Sequence, residues 1–215
     1  MRILCIILVC NVLVWSCKPM TQEEKELKTI IDNIENPDAL VGENPTQSNS
    51  KKENKNFEIP TTTGVAFIVS EQPESASISN ISISGKSFEH PVFDTLKATD
   101  PLENILLADL NNDSFKEIYL ITRSTGSGSY ATIYGFASYA DKSFGPIYVP
   151  DLSLSKELPF GYLGHDSIYI NNGQLIRTFP LYNGEDTNSQ PTGETATIVY
   201  DLIKGEAGFI LQPEL

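Results

Sequence analysis

The chain has 215 residues, of which 40% are hydrophobic, 9% aromatic and 20% charged, and its formal net charge is -13. This is the composition of an ordinary globular protein, which argues against a fully disordered chain. The acidic balance excludes nucleic-acid binding through phosphate neutralisation, and it favours attraction to a basic partner instead.

The first 16 residues have the features of a secretory signal peptide. Arg2 precedes an apolar run from Ile3 to Trp15, which is shorter than the about 20 residues that a membrane-spanning helix needs. The run ends in Ser16-Cys17, a pattern that resembles the lipobox of bacterial lipoproteins, in which the Cys is lipidated and becomes the first mature residue. We therefore expect a lipid on Cys17; the alternatives are an ordinary signal peptide and an uncleaved anchor.

The other cysteines and the residue after Cys17 extend this prediction. Cys5 and Cys10 lie inside the signal peptide, so the mature chain would have no disulfide and no Cys nucleophile. Lys18 is not the Asp that often retains lipoproteins at the inner membrane. We expect an outer-membrane lipoprotein that is attached to the membrane by its lipid anchor and faces the periplasm or the cell surface.

Residues 17–60 are predicted to contain the lipidated Cys, a short helix and a flexible linker. A helix is predicted from Thr21 to Ile34, because Thr21 and Glu24 fit a capping box and apolar residues recur at spacings of three and four. Its narrow apolar face favours a solvated spacer helix over a partner-binding helix. The segment from Asn36 to Asn56 is poor in large apolar residues, which predicts a linker.

Residues 61–215 are predicted to form one all-β domain, a mostly antiparallel β-sandwich. Short apolar runs alternate with turn residues, and no run of helical period is long enough for crossover helices. Asn172-Gly173 favours a two-residue hairpin turn, and the phase of the isoleucines near Asn80 indicates a β-bulge. The predicted strands are Val65–Ser70, Ala76–Ser84, Ile105–Asp109, Glu117–Thr122, Ala131–Ser138, Phe144–Val149, Ser167–Ile170, Gln174–Phe179, Ala196–Leu202 and Gly208–Leu211.

An acidic loop follows one of these strands. Asp109, Asn111, Asp113 and Glu117 place oxygen-bearing side chains at positions 1, 3, 5 and 9 of the loop, a spacing that can surround a structural Ca²⁺. Ser114 stands where such loops usually have Gly, and position 12 carries no Glu. The alternative, which this departure favours, is an Asx-rich turn that leads into the next strand. No other cofactor is predicted.

A glycine- and serine-rich loop, residues 124–130, lies between two predicted strands. The spacing of Gly126 and Gly128 superficially fits a dinucleotide-binding fingerprint, but that motif requires a helix where Ala131–Ser138 is predicted to be a strand. Two interpretations remain open. Either the glycines only permit a hairpin turn, or the loop is a recognition surface in which Tyr130 supplies contact area and a hydroxyl.

The sequence from Asp109 to Tyr130 resembles the periplasmic inhibitors of invertebrate-type (I-type) lysozyme, and residues 200–207 are similar to the C-terminal strand region of that family. In that family a Ser-Gly-x-Tyr loop enters the lysozyme cleft. The resemblance implies that Ser127, Gly128, Ser129 and Tyr130 form this loop here. The long tether at the N-terminus departs from the compact secreted inhibitors and suits a membrane-anchored version.

Catalysis is not expected from this sequence. His90 and His165 are the available imidazoles, and neither has an evident Ser or Asp partner. Glu185-Asp186, an acidic pair, falls in a predicted solvated hairpin loop. The sequence therefore predicts a non-enzymatic inhibitor of I-type lysozyme. The alternatives are a calcium-dependent envelope module for glycan or protein ligands and, third, a hydrolase that uses acidic residues; a homodimer stays open.

Overall fold

The computed structural model describes residues 53–155 and 158–214. The predicted signal peptide, Cys17, the Thr21–Ile34 helix and the linker as far as residue 52 lie outside the described residues. Within the described ranges, no helix is long and apolar enough to cross a membrane.

The described residues form three antiparallel sheets of four strands, and in each sheet the strands follow one another in chain order. This confirms the all-β, antiparallel prediction. The strands are β1 (Lys55–Pro60), β2 (Ala66–Pro73), β3 (Ser79–Lys86), β4 (Phe93–Thr99), β5 (Leu102–Ala108), β6 (Glu117–Arg123), β7 (Ala131–Tyr139), β8 (Ser143–Ile147), β9 (Ser167–Asn171), β10 (Gln174–Pro180), β11 (Thr195–Lys204) and β12 (Phe209–Glu214). A 3₁₀ turn, Leu152–Leu154, follows β8.

The β5–β8 sheet is covered on both faces, which makes the packing that of a layered sandwich. Side chains alternate across a strand, so Ile118 and Leu120 of β6 enter the core shared with the β1–β4 sheet. Tyr119 and Ile121 enter the core shared with the β9–β12 sheet. An unbroken run of buried residues in β6 is typical of a strand that is covered on both faces.

The predicted hairpin turn is confirmed in the structure, and the predicted bulge has its counterpart in the neighbouring strand. Asn172 and Gly173 have φ values of 47° and 80°, the left-handed pair that a two-residue hairpin turn requires between β9 and β10. The register between β3 and β4 shifts across Asn80, where the phase of the isoleucines predicts a bulge in β3. The extra residue belongs to β4, where Ala98 has a φ of 52° and donates its N–H to Asn80 Oδ1 at 3.0 Å.

Two strands form where none was predicted. β1 lies before residue 61, where the β domain is predicted to begin, and only its first two residues fall in the linker predicted from Asn36 to Asn56. β1 pairs with β2 and packs Phe57 and Ile59 against the core, but these are its only large apolar residues, and composition alone therefore indicates a linker. β4 carries Phe93 and Leu96 among polar residues and is bulged, which hides the two-residue period.

A buried carboxylate joins the first sheet to the second. Glu71 is 1% exposed and accepts hydrogen bonds from Lys55 Nζ, Ser79 Oγ and the Leu102 N–H, each at 2.8 Å. Burial acts to raise the pKa of Glu71, but these hydrogen bonds and the Lys55 charge outweigh it and hold the pKa below its ordinary value. The carboxylate therefore stays charged and ties β1 to the start of β5.

Candidate functional site

The predicted recognition loop joins β6 to β7. It closes through two hydrogen bonds of 2.9 Å, from the Ser124 N–H to the Tyr130 carbonyl and from the Tyr130 N–H to Ser124 Oγ. Inside it, the Ser129 N–H donates to the Gly126 carbonyl at 3.0 Å. Ser127 and Tyr130 are exposed, and the described structure contains no hydrogen bond to either hydroxyl. Two hydroxyl groups are thus free to bind a partner.

Two neighbouring segments hold the backbone of this loop. The His165 N–H donates to the Gly128 carbonyl at 2.8 Å, and Asn188 Nδ2 donates to the Ser127 carbonyl. Gly164 has a φ of 91°, and a Cβ at that position would clash with the Gly128 carbonyl. The close approach therefore requires glycine at position 164, and the loop carbonyls are bound while the Ser127 hydroxyl stays free.

The Tyr130 ring rests on a short series of aromatic contacts that leads into the core. It packs edge-on against Tyr162 at 5.7 Å between ring centroids, and Tyr162 packs on the buried Phe179 at 4.6 Å. A Cβ on Gly128 would strike the Tyr130 ring. Tyr130 nevertheless remains 43% exposed. Its ring is therefore held in place while much of its surface faces solvent, which suits a contact residue.

A buried ion pair lies beneath the loop. Arg177 Nε donates to Asp166 Oδ1 at 2.6 Å, and the two side chains are 7% and 0% exposed. The two residues also fix the backbone of Ala131, directly after the loop. Asp166 accepts its N–H at 2.9 Å, and Arg177 donates to its carbonyl at 3.0 Å. The Tyr162 hydroxyl donates to Asp166 at 3.0 Å and accepts from Arg177 at 2.8 Å.

The ionisation of this network is set by its burial and its internal partners. Burial raises the pKa of the Tyr162 phenol, which therefore stays protonated and able to donate. Burial acts to lower the pKa of Arg177, but the hydrogen bond and charge of Asp166 outweigh it, and the pKa of the guanidinium is raised. Arg177 is therefore a permanent cation at neutral pH.

Arg123, the last residue of β6, connects the loop to this network. Its Nη1 donates to the Ser129 carbonyl and its Nη2 to the Asp166 carbonyl, both at 2.7 Å. Its Nε donates to Glu103 Oε1 at 2.6 Å. The guanidinium thus bridges the loop, the segment before β9 and the β5 strand.

The acidic loop brings together three of its four predicted oxygen ligands. One carboxylate oxygen from each of Asp109, Asp113 and Glu117 lies within 4.8 Å of the others. Asn111 reaches Asp113 through a hydrogen bond of 2.9 Å from Nδ2. Asn111 Oδ1 and Asp113 Oδ1 accept the N–H groups of Asp113 and Phe115 at 3.0 and 2.8 Å, which is the Asx-turn bonding that the sequence favours. Calcium binding stays a prediction.

Glu117 is the buried member of this cluster, at 1% exposure. Burial and the neighbouring Asp109 and Asp113 charges raise its pKa to about 7, although the hydrogen bond that it accepts from the Leu110 N–H acts to lower the pKa. The folded state therefore favours the protonated carboxyl. Stability from this group is full below its ordinary pKa of 4.5 and falls as the pH rises towards about 7.

Glu117→Gln should therefore raise the free energy of unfolding at pH 8 by up to about 3 kcal/mol, because the amide replaces a disfavoured charge and can still accept from Leu110. At pH 4.5 the variant and the parent should be equally stable. Urea unfolding at both pH values tests this, with the exposed Glu185→Gln as a control that should change neither. A Glu117→Gln chain that is less stable than the parent at pH 8 would contradict the argument.

The two candidate imidazoles lie in different surroundings. His90 is exposed, and its Nε2 lies 3.8 Å from Glu89 Oε1. His165 Nε2 lies 3.3 Å from Asn188 Oδ1, and the His165 ring contacts the Tyr182 ring. The backbone of His165 has a φ of 57°. Asp186 accepts N–H groups from Asn183 and Thr192, which stabilises its own loop.

The supporting residues Asp166, Arg177, Tyr162 and Asn188 were not predicted from the sequence. A detectable signal exists for one of them: Arg177 stands between the apolar residues Leu175, Ile176 and Phe179 of one strand, and a charged residue there needs a buried partner. Asp166 and Tyr162 belong to a segment that the sequence indicates only as a turn.

Comparisons of the chain with protein-family models, with curated proteins and with solved structures find no match.

Proposed function

We propose that this chain is an envelope lipoprotein that inhibits I-type lysozyme by inserting the loop formed by Ser127, Gly128, Ser129 and Tyr130 into the active-site cleft. One observation carries the proposal. The loop presents unpaired Ser127 and Tyr130 hydroxyls to solvent, while its backbone is fixed by hydrogen bonds to neighbouring segments.

The chemistry of a lysozyme cleft fits such a loop. Glycoside hydrolysis uses two carboxyl groups that flank the scissile bond. Hydroxyl donors such as those of Ser127 and Tyr130 can bind carboxylates in hydrogen bonds that are stronger than neutral ones. A loop that occupies the cleft in this way excludes the glycan substrate.

The rigidity and charge of the protein favour this association. Binding costs less when a loop is already ordered, and here the neighbouring backbone of Ala131 is fixed by Asp166 and Arg177. The net charge of -13 would accelerate the encounter with a basic lysozyme.

In this proposal the chain acts by occupying the cleft and not by catalysis. A lipid on Cys17 would keep it at the outer membrane, where it protects the cell wall from an incoming lysozyme. The partners are the lysozyme and, through the lipid, the membrane.

Lysis of a peptidoglycan suspension by an I-type lysozyme tests the proposal. Purified residues 18–215 should reduce the lysis rate in a dose-dependent manner and should leave an unrelated muramidase unaffected. Unchanged lysis at micromolar protein would contradict the proposal. Lysis by the protein alone would indicate a hydrolase instead.

The second candidate, a calcium-dependent glycan- or protein-binding module, is favoured by the gathering of Asp109, Asp113 and Glu117 carboxylates. It predicts that Ca²⁺ raises the melting temperature of the parent and not that of Asp109→Ala. An equal response of the two proteins, or no shift upon chelation, would exclude this candidate.

A further inference from the structure

One half of β7 has a strand on only one side. β7 pairs with β8 from Gly135 to Tyr139, and beyond this point the chain bonds to β12 instead. There Tyr148 donates its N–H to the Phe209 carbonyl and accepts the Leu211 N–H, both at 2.9 Å. The first half of β7, residues 131–134, therefore has β6 beside it and, within the described residues, no strand along its other edge.

The hydrogen-bond pattern of β6, between β5 and β7, shows which backbone groups of β7 face this open edge. Arg123 donates its N–H to the Pro101 carbonyl at 3.0 Å, away from β7. Ala131 stands opposite Arg123, so its N–H and carbonyl point away from β6. The direction of the backbone N–H and carbonyl groups alternates from residue to residue along a strand. The N–H and carbonyl of Ile133 therefore point to the same open edge as those of Ala131.

The two residues differ in how their backbone groups are bonded. Asp166 and Arg177 bind both groups of Ala131. Val149 is next in line on the β8 side, but the described structure contains no backbone hydrogen bond between Val149 and Ile133. Ile133 is 4% exposed, and buried backbone groups are nearly always bonded. Within the described residues, the N–H and the carbonyl of Ile133 thus have no hydrogen-bond partner at this edge.

A cavity of about 530 Å³ opens onto this edge, a volume typical of ligand sites. Leu96 and Tyr134 line it on the side of the core shared with the β1–β4 sheet, and Leu152 and Tyr162 line it on the side of the core shared with the β9–β12 sheet. Walls from both faces of the sheet place the cavity in the plane of the sheet. This is the position that an additional strand beside β7 would occupy.

We propose that this β7-edge cavity binds a short extended peptide, which pairs with Ile133 as an added strand. The N–H and carbonyl of a central peptide residue bond the carbonyl and N–H of Ile133, and its side chains alternate between the two apolar walls. The bonds to Ala131 limit the pairing at one end and β8 limits it at the other. Roughly three or four residues fit this span.

The charges around the cavity indicate a basic peptide. Asp94 lines the cavity, the net charge is -13, and Arg177, a buried cation that also lines the cavity, is paired with Asp166. A peptide with an apolar centre flanked by Lys or Arg therefore complements the site. An N-acetylated sugar offers the same amide, but its ring presents no alternating side chains to the two walls. The proposal does not depend on lysozyme inhibition.

Titration of the ¹⁵N-labelled full chain in mild detergent with the peptide acetyl-Lys-Val-Ile-Val-Lys-amide tests the proposal by NMR. The Ile133 amide signal should shift downfield and saturate. The same peptide methylated on its central backbone nitrogen should bind at least about fivefold more weakly, because it cannot donate to the Ile133 carbonyl.

Two protein variants complete the test. Leu96→Trp should fill the cavity and weaken binding at least about tenfold, whereas Ile203→Trp, at a partly exposed position on β11, should change it less than about twofold. A shift of Ile133 that does not saturate, or binding that survives both the methylation and Leu96→Trp, would overturn the proposal. So would stronger binding of an N-acetylglucosamine trisaccharide at the same amide.

Discussion

Arg177→Met is expected to lower the free energy of unfolding by about 3–5 kcal/mol. The substitution leaves the Asp166 carboxylate, whose side chain is 0% exposed, without its cation. It also removes the donor to the Ala131 carbonyl. A buried charge without its partner costs far more than the pair itself contributes, so this variant should be among the least stable that a single substitution produces.

Urea unfolding followed by circular dichroism measures this effect. Lys86→Met is the matched control, because its ion pair with Glu58 is more than half exposed at both side chains and should contribute less than about 1 kcal/mol. The double variant Asp166→Asn with Arg177→Met should be more stable than Arg177→Met alone, since no lone charge remains. A loss below about 1 kcal/mol for Arg177→Met would show that the ion pair does not support the loop.

Tyr130→Ala is expected to weaken inhibition of an I-type lysozyme by about 30- to 1,000-fold, because a well-seated aromatic residue at the centre of an interface contributes about 2–4 kcal/mol. The free energy of unfolding should change little, because the ring is 43% exposed. Tyr130→Phe and Ser127→Ala each remove one hydroxyl that would donate to a cleft carboxylate, and each should weaken inhibition by about 10- to 150-fold. The inhibition constant in the lysis assay measures all three effects.

Tyr169→Ala is the matched control for this series. Tyr169 lies on β9 and is 40% exposed, so the substitution removes a similar ring from outside the loop. Its inhibition constant should stay within about twofold of the parent value. If Tyr169→Ala and Tyr130→Ala weaken inhibition equally, contact through the loop is wrong.

Most of the strands were predictable because their patterns are local. β10 carries apolar residues between clear turn residues, and Asn172-Gly173 fixes the hairpin before it. β6 is predictable as a strand from its apolar run, although its burial on both faces follows only from the two neighbouring sheets. β1 was missed because it gains its order from pairing with β2, which composition does not reveal.

For the candidate site, the exposed loop could be predicted from the sequence, whereas the residues that support the loop could not. Glycines, serines and a tyrosine between two strands indicate an accessible loop, and Ser127 and Tyr130 are exposed. The support depends on contacts between residues far apart in sequence: Arg177 lies 46 positions from Ala131, whose carbonyl it binds. No periodicity links such positions, so only the folded sheets bring them together.

Calorimetry would test insertion into the cleft most directly. Residues 18–215 would be titrated into an I-type lysozyme whose cleft is either open or filled by a saturating N-acetylglucosamine oligosaccharide. If the loop inserts into the cleft, the protein should bind the open enzyme, and its affinity should fall in proportion to the saccharide occupancy of the cleft. The Tyr130→Ala variant should bind weakly in both cases. Equal affinity for the open and the filled enzyme would contradict it, because the loop and the saccharide cannot occupy one cleft together.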